Sequence, residues 1–180
     1  MRNTARMLVA LLALAFASPA LAGPLAGVDA MSATIFQKHQ SSFSGIGLRM
    51  RIHPPQLIEE VSLMPTIEYW RNSSNVQPFD IQSTRKDATL GMDVRYDVPR
   101  EGWQPYFGAG FGLHFISTEV SAPSLGLNDA SDSLIKGGLS ALGGVSFAIA
   151  GRFNNMIELK YHHIPDHSQL KINWGLAINL

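Results

Sequence analysis

From Leu170 to Leu180 every second residue is apolar: Leu170, Ile172, Trp174, Leu176, Ile178 and Leu180. Lys171, Asn173, Gly175, Ala177 and Asn179 fill the gaps. A beat of two is the signature of a strand, which sends successive side chains to opposite faces. The same beat recurs upstream in Ser44-Ile46-Leu48-Met50-Ile52, Val61-Leu63-Pro65-Ile67-Tyr69 and Leu90-Met92-Val94-Tyr96-Val98. It returns in Phe107-Ala109-Phe111-Leu113-Phe115, in Leu139-Ala141-Gly143-Val145-Phe147-Ile149 and in Ile157-Leu159-Tyr161. An eighth strand, with weaker alternation, is expected over Ser32–His39. No helical period of comparable length follows residue 22.

The connections alternate in length. "HPPQ" (53–56), "PREG" (99–102) and "AGRF" (150–153) are short turns. Polar loops are expected at 72–80 and 120–136, with shorter ones at 40–42 and 164–168, all at the opposite end. Strands this long must hide their edges or close on themselves. A soluble barrel would pack its apolar face inward, whereas a membrane barrel turns that face to lipid and keeps polar residues inside. The face opposite the apolar one carries Arg49, Arg51, Arg95, Lys160 and Lys171, nearly balanced by Glu68, Asp93, Asp97 and Glu158; His162 extends this polar column. It is also rich in glycine, at 45, 47, 91, 108, 110, 112, 144 and 175. Glycine weakens a strand, but a narrow lumen needs small residues beside long ion-paired ones. Tyr69, Trp70, Tyr96, Trp103, Tyr106, Tyr161 and Trp174 fall near strand ends, the distribution of an interfacial aromatic girdle. The expected fold is therefore all-β, an eight-stranded antiparallel up-and-down transmembrane β-barrel whose lumen is plugged by ion-paired side chains.

Residues 1–22 stand apart. Arg2 and Arg6 precede an apolar run from Met7 to Ala17, and Ala20-Leu21-Ala22 is a small-x-small cleavage site. This is the layout of a secretory signal peptide, and the run is short of the ~20 residues a spanning helix needs. Cleavage after Ala22 leaves a barrel domain at 23–180. It also removes two arginines, so 14 − 2 = 12 basic residues face 14 acidic ones. No basic excess remains to suggest nucleic acid. There is no cysteine, which excludes disulfides, thiolate metal sites and a cysteine nucleophile.

"WQPYFGAGFGLHF", "ALGGVSFAIAGRFNNMIELKYHHI" and the closing "LKINWGLAINL" resemble the second half of the small outer-membrane barrels, the OmpA/OmpX-like eight-stranded class. The resemblance covers roughly residues 27–180. It implies a protein of the Gram-negative outer membrane in contact with its lipid, with both termini periplasmic and the longer loops outside. It also implies that strand 170–180 is read by the barrel-assembly machinery, although Leu180 stands where an aromatic residue is usual. A non-enzymatic structural or surface-interaction role through the outer loops follows, with no cofactor. Passage of small solutes and a soluble lipocalin-like carrier are the alternatives.

Candidate chemistry gathers in "YHHIPDHSQ" (161–169). The lipid A deacylases are barrels of the same class, with a serine, a histidine and an acid at the outer rim and a His-x-Ser-Asn motif. That motif is missing here, and Ser168, His162 and Glu158 would be the candidates for such a hydrolase. A metal would use His162, His163, Asp166 and His167, but adjacent strand residues face apart. Asp129 and Asp132 lack the oxygens and glycine of a calcium loop. Neither a metal nor catalysis is expected. The glycines of "GAGFG" lie within a strand, which excludes a nucleotide cradle. Asn72-Ser73-Ser74 would be a glycosylation acceptor only in a eukaryotic secretory pathway.

Overall fold

The computed structural model describes residues 25–38, 40–76, 81–122 and 127–180. The expected signal peptide and its cleavage site lie outside the described residues, as does His39. The chain forms eight strands: β1 Leu25–Gln37, β2 Phe43–Ile52, β3 Val61–Val76, β4 Ile81–Asp97, β5 Trp103–Ala122, β6 Leu127–Ala150, β7 Phe153–His163 and β8 Gln169–Asn179. Each pairs antiparallel with its sequence neighbours, and β8 returns to β1 to close the barrel. Closure leaves no edge with unpaired backbone groups, the only strand arrangement a bilayer tolerates.

The two faces are inverted relative to a soluble protein. Ile46, Phe111, Leu139, Leu159, Ile172, Trp174 and Leu176 point outward and are exposed. Arg49, Asp93, Arg95, Glu158, Lys160 and Lys171 are buried in the lumen. β2 departs from the simple pattern at its end, where Ile52 is buried beside a register shift between Leu25 and Gly27.

Three sequence expectations need correction. The first strand runs from Leu25 to Gln37, earlier than Ser32–His39. Its inward positions include Met31, Ala33 and Ile35 and its outward ones Ser32 and Thr34, so the polar-in, apolar-out contrast is blurred. The described residues of segments 72–80 and 120–136 are strand: β3 and β4 pair out to Val76–Ile81, and β5 and β6 out to Ala122–Leu127. Both faces of these extensions lie beyond the apolar band, so an apolar stripe is not required there, and serine, threonine and asparagine obscured the period. Last, Trp70 and Tyr106 do not belong to a girdle. Trp70 shares its face with Glu68 and packs in the lumen against Phe43, 4.7 Å between ring centroids. Tyr106 shares its face with Gly108 and is likewise buried.

A bilayer is spanned by about 9–11 tilted strand residues. β7 and β8 have 11 each, which matches. β4, β5 and β6 have 17, 20 and 24. The turns at 53–60, 98–102 and 151–152 hold the other ends level, so the surplus of β3–β6 projects past the rim opposite the chain termini, the expected outer rim, as a one-sided wall. The hairpins on the other side end at low turns, at 40–42 and 164–168.

Glycine makes the interior fit. A Cβ at Gly144 would stand 2.6 Å from the Tyr106 ring and 2.5 Å from the Ile157 carbonyl oxygen. Gly144→Val is therefore expected to displace Tyr106 and cost about 1–3 kcal/mol, the usual range for overpacking. Urea unfolding of the refolded barrel in lipid vesicles measures this, and a midpoint equal to the parent's would show that the Tyr106 ring does not fill that place.

Candidate functional site

The inward faces of the strands stack three layers of polar side chains. At the end that holds both chain termini, Arg51 Nε donates to Asp29 Oδ1 at 3.0 Å and Arg51 Nη2 to Asn179 Oδ1 at 2.8 Å. Arg95 Nε donates to Asp97 Oδ1 at 2.8 Å, and the Arg95 guanidinium lies 3.6 Å over the Tyr106 ring.

The middle layer crosses the barrel. Arg49 holds Glu158 with both terminal nitrogens, each at 2.8 Å. Asn173 Nδ2 donates to the same carboxylate at 2.8 Å and the Tyr106 hydroxyl at 3.2 Å. Lys160 Nζ bridges Asp93 Oδ2 at 2.6 Å and Glu68 Oε1 at 3.2 Å. Lys171 pairs with the other oxygen of Glu68, and the Ser140 hydroxyl donates to Asp93 Oδ1 at 2.6 Å. Most lone pairs and protons in this layer are matched, which is what makes buried charge tolerable. Bidentate guanidinium–carboxylate pairing is among the stronger of such contacts.

The upper layer is a chain of side chains beneath the outer mouth. The His162 and His114 rings meet edge to face, with His162 Nδ1 3.2 Å from His114 Nε2. His114 Nδ1 is 2.9 Å from Asp87 Oδ2, with the Thr89 hydroxyl also at 2.9 Å. Gln169 Nε2 reaches Asp87 Oδ2 at 3.4 Å.

The structure thus brings Arg49 and Glu158, and beside them Glu68, Asp93, Lys160 and Lys171, into one cross-lumen layer of two ion-paired groups, and places Arg51, Arg95 and Asp97 below it. His162 lies above, joined to His114. Sequence reasoning missed Asp29, Asp87, Thr89, Tyr106, His114, Ser140 and Asn173. Each has the parity of the polar face on its strand. Asp29 and Asp87 were lost because β1 and β4 begin before the alternation becomes plain.

The hydrolase candidates are not assembled. Glu158 is bound to Arg49 in mid-lumen, His162 faces inward, and Ser168 lies in the outer turn. Ser168 Oγ is instead 3.4 Å from Nδ1 of the outward-facing His163, and no carboxylate hydrogen-bonds that ring among the described residues. The metal candidates diverge too: His162 is buried, whereas His163 and Asp166 are exposed. Lys136 Nζ lies within 3.3 Å of Asp166 Oδ2 and 3.1 Å of His167 Nδ1, so a cation already occupies that corner. No group of three metal-ligating side chains is present among the described residues. The side chain of Asp129 lies outside them, and Asp132 is exposed. The lumen is crossed by ionic layers with only small apolar clusters beside them, unlike the apolar cavity of a lipocalin-like carrier.

Comparison with known proteins agrees with this geometry. The family model described as the outer membrane protein beta-barrel domain matches residues 7–178. Neisserial surface protein A superposes with a TM-score of 0.61 at 17% identity, over 86% of this chain and 95% of that one. The attachment invasion locus protein of Yersinia pestis gives 0.59 at 13%, over 88% and 99%. The outer membrane enzyme PagL gives 0.52 at 12%, over 84% and 99%. At such identities these structures share the fold alone. No curated protein matches by sequence.

Proposed function

This chain belongs to the outer membrane protein β-barrel domain family and resides in the bacterial outer membrane, and from that premise we propose that it is a non-enzymatic, closed barrel that presents a surface for interaction outside the cell. The observation that carries the reading is a pairing of two features. The lumen is filled from wall to wall by the Arg49–Glu158 and Lys160–Glu68–Asp93 contacts, while β3–β6 continue well past the outer rim. Eight strands leave an interior just wide enough for side chains. The ionic layers serve to hold the walls in register, and the projecting wall serves recognition. The outward row Leu170, Ile172, Trp174, Leu176 and Ile178 on β8 supports recognition of that strand by the barrel-assembly machinery.

A planar bilayer tests the closed lumen. The refolded chain is expected to give no resolved current steps at 100 mV in 1 M potassium chloride, and regular steps would favour passage of small solutes. Hydrolysis is the second reading, favoured by the Ser168–His163 contact and the fold shared with PagL. Lipid A incubated with the chain is expected to keep its acyl chains. Their release, abolished by Ser168→Ala, would make the protein an esterase.

A further inference from the structure

Above the lumen the projecting wall has an inner face. Asn72 and Ser74 on β3, Ser83 and Arg85 on β4 and Thr118 on β5 line a cleft of 290 Å³, closed on one side by Gln40 and Ser41 of the β1–β2 turn. Asn72 Nδ2 donates to Gln40 Oε1 at 3.1 Å and ties that turn to the wall. The volume lies at the lower end of small-molecule sites, which run about 300–1,000 Å³. Most such sites are largely apolar, but all seven residues here are polar and only Arg85 is charged.

Arg85 is the exception among the inward-facing cations. Arg49 has Glu158, Arg51 has Asp29, Arg95 has Asp97, Lys160 and Lys171 share Glu68, and Lys136 has Asp166. Arg85 has no ion pair among the described residues, and its Nε is buried without a hydrogen-bond partner. The next acid below it on the same face, Asp87, acts on Arg85 through its charge but forms no ion pair with it, its carboxylate being engaged by His114 and Gln169. Asp132 faces Thr118 across the β5–β6 pairing but does not line the cleft. Elsewhere this interior pairs its cations closely. At the cleft, among the described residues, it leaves one guanidinium without an ion pair, amid hydroxyls and amides.

That combination defines a ligand chemistry. A guanidinium offers a planar fork of donors that fits a carboxylate with two parallel hydrogen bonds. Serine, threonine and asparagine side chains both donate and accept, as the hydroxyls of a sugar require of their partners. One cation suits one carboxylate; a polyanion would need a cluster of them. We propose that the cleft binds a saccharide bearing a single carboxylate, with Arg85 holding the acid group and Asn72, Ser74, Ser83 and Thr118 the hydroxyls. The proposal rests on the surface-interaction reading and gives it a ligand class.

The test uses the full chain refolded in detergent, titrated calorimetrically with 3′-sialyllactose, lactose or sodium sulfate. Sialyllactose is expected to bind, lactose to bind about tenfold more weakly or worse, and Arg85→Gln to weaken sialyllactose about tenfold or more. Arg85→Lys keeps the charge without the fork and is expected to fall between. Heat-modifiable gel mobility verifies that each variant has folded. Equal binding of lactose, or binding unchanged in Arg85→Gln, overturns the proposal. So does sulfate that binds as well as the sugar, which would make the cleft a bare anion site, and so does the absence of binding by sialyllactose at about 10 mM. A chain that binds none of these yet stays closed in bilayers loses the saccharide cleft and keeps the closed-barrel reading. A chain that conducts yet binds sialyllactose through Arg85 loses the closed barrel and keeps the cleft.

Discussion

Glu158→Ala is expected to destabilise the folded barrel by about 3–5 kcal/mol, the usual cost of removing one partner from a buried ion pair. Glu158 accepts both nitrogens of Arg49 at 2.8 Å together with Asn173 Nδ2 and the Tyr106 hydroxyl. Both side chains of the pair are fully buried. Alanine leaves the guanidinium in the lumen without its counter-charge, and Asn173 and Tyr106 lose an acceptor. Unfolded in urea the same arginine is hydrated, so the loss falls on the folded state. Glu158→Gln keeps an acceptor and its shape and is expected to cost less. The double variant Arg49→Met, Glu158→Leu removes both charges and is expected to recover most of the loss, since an apolar pair of similar volume replaces a buried ion pair at little or no cost. Urea unfolding in lipid vesicles, followed by tryptophan fluorescence, measures all three. A value for Glu158→Ala within about 0.5 kcal/mol of the parent would show that water already solvates Arg49 in the lumen. The closed-barrel reading would then lose its main support.

How much of this was legible in the sequence depends on where the environment differs across a strand. Within the membrane the two faces meet opposite surroundings, lipid and an ionic lumen. There the alternation is forced, and Arg49, Glu68, Asp93, Arg95, Glu158, Lys160 and Lys171 could be placed inward by parity. Beyond the outer rim that contrast ends. β5 and β6 keep their ladder through Thr118–Asp132 and Glu119–Ser131, yet nothing in the side-chain order reveals it. β1 was obscured for a related reason. Its lumen-facing Ala33 and Ile35 form an apolar cluster with Phe43 and Trp70, so one part of the interior is not polar. Partner choice lay further out of reach. Arg49 and Glu158 are separated by 109 positions, and parity places both inward without telling which acid any base will meet. The Arg85 cleft was invisible for both reasons: Asn72 and Ser74 fall in the segment expected to be a loop, Ser83, Arg85 and Thr118 lie beyond the stretches of plain alternation, and its significance lies in an ion pair that Arg85 lacks among the described residues.

Leu159→Arg is expected to cost about 2–4 kcal/mol in lipid vesicles, the penalty for a cation on the lipid face near the bilayer midplane. Leu159 lies near the middle of β7, opposite Gly143 on β6 and Ile172 on β8. It faces outward and is 52% exposed in the isolated chain. In water so exposed a position accepts arginine at almost no cost, since surface substitutions usually stay within about 0.5 kcal/mol. The size of the effect therefore reports what surrounds the wall. Leu170→Arg supplies the depth control. Leu170 opens the outward row of β8 directly after the outer turn, so its arginine can reach the interface, and about 0–1 kcal/mol is expected there. Lys160→Met, one residue along from Leu159, should be harmful for the opposite reason. It removes a cation that Glu68 and Asp93 both use, at a position only 1% exposed. Neighbouring residues on one strand then show reversed preferences, an arginine excluded at 159 and a lysine required at 160. Equal tolerance of arginine at 159 and 170 would mean that no depth gradient exists along the wall, and the placement of Leu159 at mid-bilayer would fail.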